Sequence, residues 1–343
     1  MTARSALLVA TLAMLPFPVM AEGSQAPAAP IVDPLVTEGV VDAPVAALWS
    51  VFSTAEGYKR LGVAKAELDL RPGGTVRSAY DPNTPLDGEG AIWQQILAYE
   101  PQRMIAFRIA RPPKGFPFME AYKSVWSVVT LADLGDGRTN VRIAMVGWTP
   151  DAESQAMREF FRTGNDWVMK KLQSSYGAPA PTRPAHAADP LDPVDVQTTV
   201  PTDRGRVWKA LATPEGWKAF TGGAQLTIGN APGGPCEVWW NPDAPAGERG
   251  SEGCTLLALV PNEVLSFTWN APPKFPFART KHTWVVVTLE PLAPNSTRVR
   301  LRELGFRELA DAHPDHRQEF VETRAYFQNA WARVLDALKK HFE

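Results

Sequence analysis

With 343 residues, 45% hydrophobic and 21% charged, the chain has an ordinary globular composition and enough length for about two domains with their own cores. A net charge of −2 leaves no basic excess, which argues against non-specific nucleic-acid binding. Twelve tryptophans call for large apolar interiors or aromatic-lined pockets.

The first 21 residues read as a signal peptide. Arg4 supplies the positive charge, residues 6–20 form an apolar run, and Val19-Met20-Ala21 has small-residue cleavage character. The mature chain is expected to begin near Glu22, in a periplasm or outside the cell. The alternative is an uncleaved anchor, although the run is short and holds Pro16 and Pro18. No later stretch approaches transmembrane length. Residues 22–34, rich in Ala and Pro, read as a flexible leader.

The first domain is expected over 35–176. A strand at 36–41 is followed by a helix, opened by Asp42 or Pro44, that carries Val45, Leu48, Trp49 and Phe52 at helical spacing. A second helical turn spans 55–61. Strands follow at 65–70 and 75–80, joined by Arg71-Pro72-Gly73-Gly74, whose glycines allow the positive φ of a tight turn. More strands are expected at 90–99, 104–111, 123–131 and 139–146. A long helix then starts with Thr149 as N-cap and Pro150 at its first position. Its apolar stripe is Met157, Phe160, Phe161, Gly164, Trp167, Val168 and Leu172.

Residues 177–193 form a Pro/Ala-rich linker. The second domain, 194–343, repeats the pattern. It has a strand at 194–200 and a helix capped by Thr202 with Val207, Trp208 and Leu211. Strands follow at 225–228, 236–240, 253–259, 264–270, 282–289 and 297–304. A final helix over 315–341 carries Phe320, Phe327, Trp331, Val334, Leu335 and Leu338 on one face.

The repetition extends to words. Pro112-Pro113-Lys114-Gly115-Phe116-Pro117-Phe118 returns as Pro272-Pro273-Lys274-Phe275-Pro276-Phe277. Trp49 matches Trp208, Pro72-Gly73-Gly74 matches Pro232-Gly233-Gly234, and Asn165 with Trp167 matches Asn329 with Trp331. Order and spacing hold over a domain length, so the chain is an internal duplication. The fold class is α+β: two tandem domains, each a curved antiparallel sheet wrapped around a long C-terminal helix. Such a grip leaves a cavity between sheet and helix.

Catalytic motifs are sparse. The first unit has no His or Cys between residues 22 and 176, and neither unit has a phosphate-binding glycine loop or a Gly-x-Ser-x-Gly elbow. His313 and His316, near Asp311, Asp315 and Glu319, read as a solvated helix start rather than a metal pair, so no metal or cofactor is expected. Glu303 is the one acid–base candidate. The alternation Val299, Leu301, Glu303 sets it on the apolar face, where its pKa would rise, unless it lies at the sheet end and reaches solvent or an arginine. Its counterpart is Met145. Tyr80, Phe107, Ile109, Trp240, Phe267 and Trp269 have the parity of pocket walls. Met145, Met157, Phe161, Phe320 and Phe327 face the same interiors. Phe116, Phe118, Phe275 and Phe277 lie on turns, as gates, contact sites or lids folded back on the core. Trp49, Trp126, Trp167, Trp208, Trp284 and Trp331 are expected in the core. Cys236 and Cys254 sit on consecutive strands, as a cross-strand disulfide or as buried thiols; the first unit has Val76 and Ala91 at the matching places.

The order of elements and these words resemble the SRPBCC superfamily of START-like, helix-grip proteins, and within it the branch named after the activator of the chaperone ATPase. The resemblance rests on Arg206-Val207-Trp208-Lys209-Ala210-Leu211, Pro232-Gly233-Gly234, Val264-Leu265-Ser266-Phe267-Thr268-Trp269, Val285-Val286-Val287-Thr288-Leu289-Glu290-Pro291 and Trp331-Ala332-Arg333-Val334-Leu335. In the first unit it rests on Leu68-Asp69-Leu70-Arg71-Pro72-Gly73-Gly74 and Gly147-Trp148. It implies a cavity for an apolar small molecule or lipid, in a family that also holds cyclases, hydrolases and chaperone cofactors. The expectation is an exported, non-catalytic binder. The alternatives are a cofactor-independent enzyme using Glu303, or an interaction module using the Phe-Pro-Phe loops.

Overall fold

The computed structural model describes residues 32–176 and 189–343. The expected signal peptide, all but the end of the leader, and residues 177–188 of the linker lie outside the described residues.

In the first unit, β1 (Leu35–Val41) leads to the short helices α1 (Val45–Ser53) and α2 (Ala55–Lys59). Then come β2 (Lys65–Leu68), β3 (Thr75–Ala79), β4 (Ile92–Glu100), β5 (Met104–Arg111), β6 (Trp126–Asp133), β7 (Thr139–Val146) and the long helix α3 (Ala152–Ser175). The strands form one antiparallel sheet in the order β1-β7-β6-β5-β4-β3-β2. In the second unit, β8 (Val194–Val200), α4 (Arg204–Ala212) and α5 (Pro214–Thr221) precede β9 (Gln225–Ile228), β10 (Cys236–Trp239), β11 (Leu256–Val260) and β12 (Val264–Asn270). After them come α6 (Pro276–Arg279), β13 (His282–Ala293), β14 (Ser296–Leu304), α7 (Phe306–Ala312) and α8 (Arg317–Phe342). Here the sheet is β11-β12-β13-β14-β8, with the β9–β10 hairpin outside it and isolated bridges at Pro235–Thr255 and Trp239–Gly250.

The Pro-Gly-Gly turns are built alike. Gly73 at φ 81° donates its N–H to Ile96 O at 2.8 Å, and Gly233 at φ 89° donates to Leu256 O at 2.8 Å. Only glycine takes that conformation cheaply. These bonds also fix the register between the units: Ile96 corresponds to Leu256, and Gln94 to Cys254.

Three local expectations are corrected. Asp151, not Thr149, caps α3, its carboxylate accepting the N–H of Ser154 at 2.9 Å, while Thr149 donates its hydroxyl to Asp151. Asp203, not Thr202, caps α4; the Thr202 carbonyl instead accepts from Thr297 at 2.8 Å. The last helix is also preceded by a separate one, α7, which Gly305 opens at φ 104° and which Pro314 divides from α8. Two turns of Phe306, Leu309 and Ala310 carry too little periodicity to stand out from sequence. Residues 189–193, placed in the linker by composition, pack on the second unit: Leu191 is buried, and Arg307 pairs with Asp189 and Asp192 at 3.0 and 3.2 Å.

The units meet through the sheet faces turned away from their helices. Trp126 donates its indole N–H to Leu259 O at 2.9 Å, and Trp284 donates to Tyr99 O at 2.7 Å. Trp126 and Trp284 are equivalent, as are Tyr99 and Leu259, so the contact is reciprocal, like that of a twofold dimer. Val260, Val264, Val286 and Leu304 share one apolar cluster with Ala106, Val128 and Ala144 of the first unit. Glu100, almost fully buried, takes Arg302 at 3.1 Å and Arg300 at 3.4 Å, and Arg142 pairs with Glu263 at 2.5 Å.

This shared core predicts one cooperative unfolding transition for both units. Trp126→Phe should lose one buried hydrogen bond, about 1–2 kcal/mol, and lower that single transition as a whole. Calorimetry of the two proteins checks this; separate transitions for the units would contradict it.

Candidate ligand cavity

The long helices differ in how closely they lie on their sheets. The stripe of α8 is continuous: Phe320, Thr323, Phe327, Trp331, Leu335 and Leu338 are all buried. On α3 only Ser154, Met157, Met169 and Leu172 are buried, and residues 158–168 stand off the sheet. The helices match through their pinned first turns. Glu153 accepts the backbone N–H of Glu120 at 2.9 Å and of Ala121 at 3.3 Å, and Glu319 accepts those of Phe277 and Ala278 at 2.9 Å. From that anchor Met169 corresponds to Leu335, Leu172 to Leu338 and Phe161 to Phe327. Trp331 therefore corresponds to Asn165, not to Trp167. Trp167 is 48% exposed rather than core, and Trp49 and Trp208 are half-buried.

Under the raised part of α3 lies a cavity of about 360 Å³. Tyr80, Phe107, Ile109 and Met145 line it from the sheet side, Phe116 from the Phe-Pro-Phe turn, and Met157 and Phe161 from the helix. Phe118 does not line it; its ring packs on Phe116 at 5.4 Å and Phe160 at 5.7 Å, on the rim. An added Cβ on Gly164 would meet nothing within 4 Å. Sequence reasoning missed the polar lining: Tyr58, Gln94, Ser78, Ser127 and Asn165. Strand parity could have found Ser78, two residues from Tyr80, and Ser127, which pairs with Phe107.

These polar groups are neutral. The Tyr58 hydroxyl donates to Gln94 Oε1, and burial pushes the phenol well above its usual range. Asn165 donates its amide N–H to Met145 Sδ at 3.4 Å. Arg108 is the one lining residue of formal charge, and its Nε–H is given to Gln95 Oε1 at 3.1 Å.

The same space in the second unit is smaller. The Trp331 indole occupies the position of Asn165, 4.9 Å from the ring of Trp269, which lies 5.7 Å from Phe267. Phe267, Phe275 and Phe320 are core and face no cavity. Phe277 stacks on His316 with ring centroids 3.4 Å apart and lies 5.2 Å from His313. Among the described residues no cluster of three potential metal ligands is present. Trp240, Trp269, Phe327 and Trp331 line a smaller recess of about 290 Å³.

Glu303 reaches neither a cavity nor solvent. Its side chain is fully buried; Oε2 accepts the Trp331 indole N–H at 2.7 Å, and Oε1 lies 2.7 Å from Thr283 Oγ1. Thr283 Oγ1 is also 3.1 Å from Trp269 O, and a hydroxyl has only one proton to give. A neutral carboxylic acid resolves this: it donates to Thr283, and Thr283 donates to Trp269. Burial pushes the Glu303 pKa up to about 8, in keeping with that arrangement. The carboxyl is a structural link between sheet and helix.

Cys236 and Cys254 are opposed across antiparallel chains, Cys236 N–H donating to Cys254 O at 2.9 Å, and both are buried free thiols. Burial raises the pKa of both, that of Cys254 to about 12. Their first-unit counterparts are Val76 and Gln94, which pair directly; Ala91 is not the match.

The chain belongs to the family described as Activator of Hsp90 ATPase homolog 1-like protein, whose model matches residues 42–175 and again residues 201–343. Both matches fall on the helix-grip units of SRPBCC type described above. Among solved structures, the di-domain ARO/CYC protein BexL from the BE-7585A biosynthetic pathway is 11% identical, covering 91% of this chain and 99% of its own, at a TM-score of 0.34. The Aha1 dimer from Colwellia psychrerythraea is 12% identical over 43% of this chain and all of its own, at 0.33. MLL2253 from Mesorhizobium loti is 18% identical over 41% and 94%, at 0.33. Likenesses this low carry no argument about function. No curated protein matches the chain.

The Glu303 network predicts a pH dependence of stability. The folded-state pKa is raised from the ordinary 4.5 to about 8, so its stabilising contribution is complete below about pH 4.5 and is lost as pH rises to about 8. The slope attributable to this group approaches about 1.4 kcal/mol per pH unit. Glu303→Gln keeps a donor for Thr283 and an acceptor for Trp331, and should flatten the slope. Urea denaturation at pH 5, 6.5 and 8 on both proteins checks it.

Proposed function

We propose that the chain binds one apolar small molecule or lipid in the cavity of its first unit, with the second unit as a packed, non-binding partner. What carries this reading is the contrast at one fold position: Asn165 leaves open a space that Trp331 narrows in the second unit. A volume of about 360 Å³ lies in the range of small-molecule sites, roughly 300–1,000 Å³. The lining is apolar with a few neutral polar groups and one charged residue, Arg108, which favours a mainly apolar, neutral ligand. Phe116, with Phe118 and Phe160 at the rim, acts as the gate. The enzyme alternative drew on Glu303, and a carboxyl with both oxygens engaged away from any cavity gives it no support. We also propose that the protein is exported, on the apolar run at 6–20 and the small residues ending at Ala21.

The test is titration with the neutral fluorophore N-phenyl-1-naphthylamine. One molecule should bind per chain. Asn165→Trp, which copies the second unit, should weaken binding at least about tenfold, or 1.4 kcal/mol. Trp240→Ala, in the second unit's recess, should leave binding unchanged. Binding that ignores Asn165→Trp, or no binding by the wild type, sinks the proposal.

A further inference from the structure

The cavity holds one polar device that its apolar walls do not explain. Gln94 on β4 faces the interior beside Tyr58 of α2. Tyr58 is only 8% exposed, and among the described residues its hydroxyl has no partner but the Gln94 side chain. A phenol has one proton to give. Turning the amide over would leave the proton of the buried phenol without an acceptor, so Oε1 faces Tyr58. The Gln94 NH₂ is then held toward the cavity, and among the described residues it donates to no protein atom. That donor is reachable from the cavity and free to give to a ligand in place of water.

The second unit supplies the contrast. Counterparts fixed by the shared Pro-Gly-Gly straps place Cys254 at the position of Gln94, and the repeated helix pair places Trp217 at that of Tyr58. Trp217 gives its indole N–H to Leu211 O at 2.6 Å, within its own unit. The amide and its orienting phenol occur only in the first unit, where the interior space is larger.

We propose that Gln94, oriented by Tyr58, sets the ligand specificity of the cavity, and that the ligand class is a neutral molecule with an apolar body and a carbonyl oxygen that accepts from the Gln94 amide. This rests on the reading of the first cavity as a binding site. A carboxylate would find one charged partner in the lining, Arg108, which gives its Nε–H to Gln95. Burying a charge is far costlier than burying a ketone unless the charge is fully paired. Tyr58 acts through Gln94 and is a positioning residue.

The experiment compares 2-decanone, decane and decanoate at pH 7, by displacement of N-phenyl-1-naphthylamine and by calorimetry, on wild type, Gln94→Met and Tyr58→Phe. In the wild type 2-decanone should bind at least about tenfold tighter than decane and tighter than decanoate. Gln94→Met, close in shape and without the amide, should erase the ketone–alkane difference while decane affinity stays within about twofold. Tyr58→Phe frees the amide to turn and should shrink the difference without abolishing alkane binding. A preference that survives Gln94→Met, or decanoate as the tightest probe, overturns the assignment of Gln94 while leaving the cavity as a binding site. If none of the probes binds the wild type, the cavity reading falls and this one with it.

Discussion

The contact between the middle of each long helix and the sheet beneath it decides what each half of this protein is. In the second unit the contact is a hydrogen bond from the Trp331 indole to Glu303, wrapped in Trp269, Phe267 and Phe327. In the first unit the same two positions hold Asn165 and Met145, joined only by a weak amide–sulfur contact. An indole supplies volume and one firm bond; an amide supplies neither. The helix is held at both ends, through Glu153 at its start and through Met169 and Leu172 near its end, and the span between them stays clear of the sheet. Held ends with an unfilled middle make a cavity.

An open interior forfeits packing, and a domain of about 140 residues has little stability to spare. The arrangement of the two units answers this. Each gives the outer face of its sheet to the other, so the first unit is buried on the side opposite its cavity. The paired tryptophan bonds are the same contact made twice, as expected if the duplicated units kept an interface that identical copies could form. The charged groups have since diverged: Arg142 meets Glu263, whereas its counterpart Arg300 shares the buried Glu100 with Arg302 and Arg103. The unit with the fuller interior thus braces the one that holds the larger space.

Much of the fold was legible because it is written in local signals. Strand alternation, the Pro-Gly-Gly turns and the two long amphipathic stripes gave the succession of strands along the chain and the helix packed on the sheet, and the repeated words gave the duplication. What was not legible depends on distance in space. Matching Trp167 to Trp331 letter by letter put an exposed indole in the core. The true register follows from carboxylates pinned to turns about 30–40 residues earlier, and from the extra α7 that lengthens the second unit before its helix. The aromatic walls of the first cavity could be placed by parity, yet the equivalent second-unit residues Phe267 and Phe275 lie in solid core. Parity gives the face a side chain takes, not whether the opposite wall has come in to meet it.

Glu303 illustrates the same limit at the level of chemistry. Its alternation with Val299 and Leu301 does set it on the inner face, and burial does raise its pKa. Both features are those of a catalytic acid, and both also belong to a neutral acid that ties a helix to a sheet. The deciding facts are the partners: an indole N–H on one oxygen, a threonine hydroxyl on the other, and no space beside either for a substrate. A perturbed acid with its hydrogen-bonding capacity filled does structural work. Gln94 is the converse case: it carries no charge, yet among the described residues its amide N–H groups have no protein acceptor and its side chain lines the open cavity.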